Sequence, residues 1–412
     1  MNNAHAICPC TRREFLDAGV KGLGLIAFSQ FAPAFLTQAA AAKLPGAEKD
    51  RTVLVLIQLA GGNDGLNTLV PYADDHYHRL RPTIGLKPKD VLKLDDHLGL
   101  HPSLQPLLAL RDQGQLGIIQ NVGYPNPNRS HFRSTEIWET ASDADETEYT
   151  GWLGRYLDNA CNGRPESDPE AIHFTDQVPQ SYFSQDTHHI FSSRPTGRYG
   201  TNQPNRDLLK SVAEAPLDED NAAYLSQTLM DALVTEEKIE RVFRRYKTEV
   251  DYPQNQLAQS LKRIAALISA GIETRVYYAS LGGFDTHNNQ AQQHARLLGE
   301  LAGAMQAFQQ DLDRKGLSDQ VLTMTFSEFG RRPSENDSNG TDHGTAAPLF
   351  VMGSQIKAPL LGSPADLNLQ KNQDLTFSTD FRSVYATVLD RWFQCDQAEA
   401  VLGRKFDRLE FI

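Results

Sequence analysis

The chain has 412 residues, with 40 Lys and Arg against 52 Asp and Glu, a formal net charge of −12. That balance, without a basic run beyond the first residues, speaks against nucleic acid or an anionic membrane as a partner. Cysteines at Cys8, Cys10, Cys161 and Cys395 are too few for a disulfide framework, so stability has to come from a hydrophobic core.

Taken from the start, Thr11-Arg12-Arg13-Glu14-Phe15-Leu16 is a paired-arginine box, followed by a mildly hydrophobic stretch to Ala42. That order is a twin-arginine export signal. Asp17, Lys21, Gln30, Pro33 and Gln38 break the stretch, which therefore lacks the roughly 18 apolar residues of a spanning helix, and no stable membrane anchor is expected. Ala40-Ala41-Ala42 offers a signal peptidase its small residues, so cleavage is expected just before Lys43. The alternative is the basic n-region of a general secretory signal. Residues 1–42 are thus read as a signal peptide, with the twin-arginine translocase as partner during export and a periplasmic or secreted destination. Residues 43–412 read as a single α/β hydrolase-like domain. Only Cys161 and Cys395 stay with it, either paired in an oxidising compartment or as two thiols.

Thr52–Leu59 is a near-continuous apolar run, the mark of a strand buried on both faces, and it ends in Gly61-Gly62-Asn63-Asp64-Gly65. A second strand is expected at Leu116–Asn121, leading through a Pro- and Asn-rich loop into Arg129-Ser130-His131-Phe132. Residues 140–270 open on an acidic loop (Asp143, Asp145, Glu146, Glu148), pass through Pro195–Pro204 and show no sheet pattern. A long helix with Leu233, Ile239, Val242, Phe243 and Tyr246 on one face makes this segment a helical insertion or cap over the site. Leu257, Leu261, Ile264 and Ile268 form a helical stripe stopped by Gly271. Thr274–Ala279 is a third strand, running into Gly283-Phe284-Asp285-Thr286-His287. The stripe Leu297, Leu301, Met305, Phe308 and Leu312 marks another helix, ending at Gly316. Val321–Phe326 runs into Ser327-Glu328-Phe329-Gly330-Arg331, and a fifth strand, Pro348–Met352, follows Thr341-Asp342-His343-Gly344. Strands alternating with helices of this length predict an α/β fold with a mostly parallel sheet and helices on both faces. Ligands of such sheets lie beyond the carboxyl ends of the strands.

Those ends collect Asp64, Ser130, His131, Asp285, His287, Glu328, Asp342 and His343, a set of carboxylates and imidazoles with one hydroxyl. Divalent metals such as Zn, Mn, Mg or Ca take such ligands, and metals clamp the attacking and leaving oxygens of an ester displacement. Plainer readings stand beside each residue. Asp64 either binds metal or stabilises the glycine-flanked turn around it, and Ser130 is either a nucleophile or the N-cap of the helix that starts at His131. Asp285 and His287, at i and i+2 of an extended segment, point to one side, where they either ligate or hydrogen-bond the loop. Glu328 either ligates or pairs with Arg331 or Arg332 on the surface. His101, before Pro102, is a helix-start residue.

The leader box, Gly61-Gly62-Asn63-Asp64-Gly65-Leu66-Asn67, Pro125-Asn126-Pro127-Asn128-Arg129-Ser130-His131-Phe132, Phe284-Asp285-Thr286-His287, Phe326-Ser327-Glu328-Phe329-Gly330-Arg331 and Gly340-Thr341-Asp342-His343-Gly344, in this order, resemble domain of unknown function 1501. That bacterial family of twin-arginine-exported proteins in turn resembles the alkaline phosphatase and sulfatase superfamily. The resemblance implies an alkaline-phosphatase-like fold with Asp64 as the first-strand metal ligand, Asp285, His287 and His343 as one metal site and Ser130 as nucleophile. Glu328 and Asp342 join as candidate metal ligands and His131 as a catalytic residue from their strand-end positions. Either Asp342-His343 forms the second site, or the site holds one metal, or it holds none. It implies hydrolysis of a phosphate or sulfate ester, carried by a small molecule or a polymer, through a metal-activated serine. The chain departs from the superfamily at Phe329, where a metal-binding histidine is usual, and in the close spacing of Asp285 and His287. A non-catalytic periplasmic binding or assembly protein on a degenerate form of the fold is the alternative.

Overall fold

Val53, Val55, Ile57 and Leu59 of strand β1 (Val53–Ala60) are buried in one hydrophobic core, and Leu54 and Leu56 in another. A strand sends alternate side chains to opposite faces, so a run apolar at every position has to be covered on both. The computed structural model describes residues 51–159, 168–193 and 220–412, with side chains of the long helix described from Asp231 onward. The leader, Cys161 and Pro195–Pro204 lie outside the described residues.

The central sheet has nine strands among the described residues. After β1 they are β2 (Leu116–Gly123), β3 (Ala171–Phe174), β4 (Ile190–Ser192), β5 (Val276–Gly282), β6 (Val321–Phe326), β7 (Ala347–Met352), β8 (Leu360–Leu361) and β9 (Thr379–Asp380). Their order is β8-β2-β7-β6-β1-β5-β3-β4, with β9 beside β2. All pairings are parallel except those of β7, which runs against both β2 and β6. The sheet is mostly parallel, as expected.

Helices α3 (Gln256–Ser269) and α4 (Gln290–Arg314) cover one face with the stripes that the 3.6-residue period marks, from Leu257 to Ile268 and from Leu297 to Leu312. Gly271 and Gly316, just past them, have positive φ. On the other face lie α1 (His131–Thr140) and α5 (Phe381–Thr387), where Trp138 stacks on Phe381 with centroids 4.3 Å apart. The long helix α2 spans Asp220–Arg245.

The segment 140–270 is not purely helical: β3 and β4 extend the parallel sheet beyond β5. With four and three residues these strands are too short for periodicity to reveal. Residues Thr52–Ile412 form one compact unit, and no described helix is long and apolar enough to cross a membrane. Cys395 is buried and disulfide-bonded.

A buried carboxylate ties α4 to the segment before α3. Asp311 accepts from Tyr246 Oη (2.6 Å), Thr248 Oγ1 (2.7 Å) and Tyr252 Oη (2.9 Å). Burial, with this carboxylate beside them, pushes both tyrosines above their ordinary range, so their hydroxyls remain donors. Asp311→Ala strands three hydroxyls at once, and urea unfolding should show a loss of about 3 kcal/mol. A change below about 0.5 kcal/mol would show that the tie carries no net stability.

Register sets the position of the site. β1 pairs with β5 from Leu54 opposite Val276 to Ala60 opposite Gly282, and with β6 from Val53 opposite Val321 to Gln58 opposite Phe326. These strands therefore end level with one another. β2 runs parallel to them, and antiparallel β7 begins where they end. The Asp64, Ser130, Asp285 and Glu328 loops and the hairpin Arg331–Glu335/Thr341–His343 all leave the same edge of the sheet.

Candidate metal centre

Gly61 turns the chain at the end of β1 with a φ of 118°, and an added Cβ would collide with Asp285 N. Only glycine lets the two loops press together there. Gly61 N–H donates to Glu328 Oε1 at 2.8 Å, and Ser327 Oγ accepts from Asn63 N while donating to Leu59 O. Arg331 completes the frame from inside. Its buried guanidinium donates to the carbonyls of Gly61, Gly62, Phe284 and Thr341, and through Nη2 to Asp285 Oδ1 at 2.6 Å.

Asp285 is the hub. Its Oδ1 lies 3.1 Å from His287 Nε2 and 3.2 Å from His343 Nε2, and its Oδ2 lies 3.5 Å from His131 Nε2. Partial burial favours its neutral form, but the hydrogen bond and charge of Arg331 outweigh that and hold the carboxyl down at about 2. Asp285 is therefore an anion at every physiological pH.

The opposite nitrogens of the three rings are tethered. His131 Nδ1 meets Glu328 Oε1 at 2.8 Å, His287 Nδ1 meets Asp342 Oδ1 at 3.3 Å, and His343 Nδ1 meets the Arg129 carbonyl at 2.9 Å. A carboxylate or carbonyl can only accept, so a hydrogen on Nδ1 donates to these outer partners, and a hydrogen on Nε2 donates to Asp285, as His343 Nε2 is placed to do at 3.2 Å. His287 Nε2 and His343 Nε2 stand 3.0 Å apart. Ligand atoms of His131, Asp285 and His343 all lie within 4.8 Å of one another, close enough to share a metal ion. The hydrogen bond to Glu328 raises the pKa of His131, whereas burial lowers that of His343. The buried Phe329 ring forms a wall, with centroids 4.9 Å from His131 and 4.7 Å from His343.

Four of the sequence candidates, His131, Asp285, His287 and His343, thus come together directly, and Glu328 and Asp342 stand behind two of the imidazoles. Glu328 is buried and does not pair with Arg331 or Arg332 on the surface, because Arg331 turns inward to Asp285. Asp64 is held elsewhere. It is wholly buried, and its Oδ2 accepts from Arg81 Nη1 at 2.6 Å and from Gln290 Nε2. Ser130 is exposed at the N-cap of α1, where its hydroxyl makes no capping hydrogen bond. His101 caps a short 3₁₀ turn, accepting from Ser103 N at 3.1 Å, as its sequence context suggests.

Sequence reading missed Arg81, Gln290 and the inward role of Arg331. Arg331 lies inside a recognisable motif, which was a signal. Arg81 sits in an unpatterned polar stretch before Pro82, and Gln290 opens a helix more than 200 residues from Asp64; nothing local marks either.

A family model described as "Protein of unknown function (DUF1501)" matches residues 51–404. The chain belongs to the DUF1501 family. Among solved structures, this DUF1501 chain is similar to the PsFucS1 sulfatase from Pseudoalteromonas sp., at 12% identity over 92% of this chain and 75% of that one, with a TM-score of 0.39. It is similar to the lipoteichoic acid synthase LtaP from Listeria monocytogenes at 10% identity, over 89% and 75% of the two chains, with a TM-score of 0.39. Alkaline phosphatase from the Antarctic bacterium TAB5 aligns at 9% identity over 76% of this chain and 95% of that one, with a TM-score of 0.32. The likeness of the DUF1501 chain to these proteins is distant and concerns the fold. A comparison with curated proteins finds no match.

Proposed function

We propose that this DUF1501 protein is an exported, metal-dependent hydrolase of phosphate or sulfate esters, working at the cluster around Asp285. One observation carries the proposal: Nε2 of three imidazoles converges on one ionised carboxylate while the opposite ring nitrogens are held by acceptors. The ester class comes from the motif resemblance in the sequence. When bound, a divalent ion polarises an ester oxygen and lowers the pKa of a neighbouring hydroxyl. The chain supplies the rest. Ser130, exposed beside His131 with its hydroxyl making no capping hydrogen bond, is the proposed nucleophile. Glu328 and Asp342 orient His131 and His287 rather than ligate, and Phe329 walls the cluster on one side.

The non-catalytic reading draws on Phe329, a carbon ring against the imidazoles, and on Arg81, which already neutralises Asp64. Assays of the metal-loaded mature protein on an aryl phosphate, an aryl phosphodiester and an aryl sulfate separate the two. Turnover of one class, lost in Ser130→Ala, is the expected result. If no class is turned over, the binding reading stands; if Ser130→Ala keeps the rate, Ser130 is not the nucleophile.

Export rests on the paired arginines and on the disulfide at Cys395, a bond that persists in oxidising compartments. Changing Arg12 and Arg13 to lysine should leave full-length precursor in the cytoplasm, read by fractionation and immunoblot. Normal export of that variant would return the leader to the general secretory alternative.

A further inference from the structure

We infer that the centre takes a single first-row transition metal ion, bound by Nε2 of His131, His287 and His343 and by the Asp285 carboxylate, and that no second ion binds beside it. This deepens the hydrolase reading by naming its cofactor and rests on the same cluster. The spacing fits. Ligand atoms at roughly 2.0–2.1 Å from a common ion are about 3.0 Å apart at right angles and about 3.4 Å apart at tetrahedral angles. His287 Nε2, His343 Nε2 and Asp285 Oδ1 form a triangle with edges of 3.0, 3.1 and 3.2 Å, one face of such a polyhedron. His131 Nε2 closes on it from the Oδ2 side.

A cation among these atoms takes the place of hydrogen on each Nε2 and leaves Nδ1 to donate outward. The outer contacts follow the pattern of metal-bound histidine, whose second nitrogen donates to a carboxylate or a backbone carbonyl. Glu328, Asp342 and the Arg129 carbonyl fill that place in turn. Three neutral imidazoles and one carboxylate suit Zn2+ or Mn2+. Ca2+ and Mg2+ require oxygen cages, which nothing here provides.

The residues do not fit a second ion. Asp64 is wholly buried, with Oδ2 held by Arg81 and Gln290 and its charge already matched by the Arg81 guanidinium, although its Oδ1 has no hydrogen-bond partner. Glu328 Oε1 already accepts from Gly61 N–H and His131 Nδ1. Phe329 fills the space beneath His131 and His343 with carbon, and Arg331, paired with Asp285, already supplies a positive charge beside the cluster.

The test is equilibrium dialysis of the chelator-stripped mature protein against Zn2+, Mn2+, Mg2+ or Ca2+ singly, followed by elemental analysis. One equivalent of Zn2+ or Mn2+ per chain, with Mg2+ and Ca2+ washing out, is expected. His287→Gln should weaken retention at least tenfold, Glu328→Gln by about 10- to 100-fold, and Asp64→Asn should keep one equivalent. Should His287→Gln fail to fold by circular dichroism, His343→Gln takes its place, and the visible spectrum of the Co2+ form reports nitrogen ligation in either. Two equivalents, no retention, equal retention of Mg2+, or an unchanged His287→Gln would each overturn the inference. One retained ion without ester turnover sinks the hydrolase reading and leaves this one; metal-dependent turnover with two retained ions sinks this one and leaves the hydrolase reading.

Discussion

Asp285→Asn should cut ester turnover by about three orders of magnitude while leaving the protein folded. A metal ion at a reacting oxygen contributes several kcal/mol of transition-state stabilisation, and roughly 1.4 kcal/mol corresponds to a factor of ten. Asp285 is the one carboxylate that all three Nε2 atoms face. The variant keeps the shape and retains an oxygen for Arg331, whose other bonds run to four backbone carbonyls, so the loops stay joined. The side chain is about half exposed, so loss of its charge costs the fold little. The check is kcat on the best aryl ester together with urea unfolding. A variant inactive because it is unfolded, or one with near wild-type kcat, would contradict the prediction.

The largest effect on stability is expected at Arg81. Arg81→Met leaves the fully buried Asp64 carboxylate without its cation, and breaking a buried pair in this way costs about 3–5 kcal/mol. The double variant Asp64→Leu with Arg81→Met should recover most of that loss, because two apolar side chains leave no charge to solvate. A single variant as stable as wild type would show that the pair contributes nothing. The pH dependence has a definite sign. Burial raises the Asp64 carboxyl, but the charge and hydrogen bond of Arg81 reverse that and hold it below its ordinary value. A lowered folded pKa gives stability that is present above the unfolded value of about 3.9 and lost as pH falls through the folded one. Without Arg81 only the burial effect and weaker partners remain, so the variant should lose less relative to wild type near pH 4 than at pH 7.

The five long strands and helix α3 were legible to within two or three residues at each end, as was the end of α4, because each carries either an unbroken apolar run or a clean stripe and stops at a glycine or a polar loop. The start of α4, Gln290, lies seven residues before the first residue of its stripe, Leu297. β3 and β4 were not, being too short to show a period. At the site, residue types at strand ends pointed to Asp285, His287, His131 and His343, since a parallel sheet delivers its strand ends to one edge. The division of labour among the carboxylates was hidden. Whether Asp64, Glu328 or Asp342 faces the cluster or stands behind it depends on Arg81 and Gln290, which arrive from distant elements with no local sequence signal, and on the inward turn of Arg331, which its motif does not reveal. The outer contacts of the imidazoles likewise come from three-dimensional neighbours, one of them a backbone carbonyl.

The most direct test of the hydrolase reading is one wild-type protein followed through stripping and reloading on its best aryl ester. Turnover should fall to background when a chelator removes the ion and return on adding Zn2+ or Mn2+, while Asp285→Asn stays at background throughout. Turnover that survives both stripping and Asp285→Asn, or that never appears in the loaded protein, would contradict the assignment of hydrolysis to this cluster.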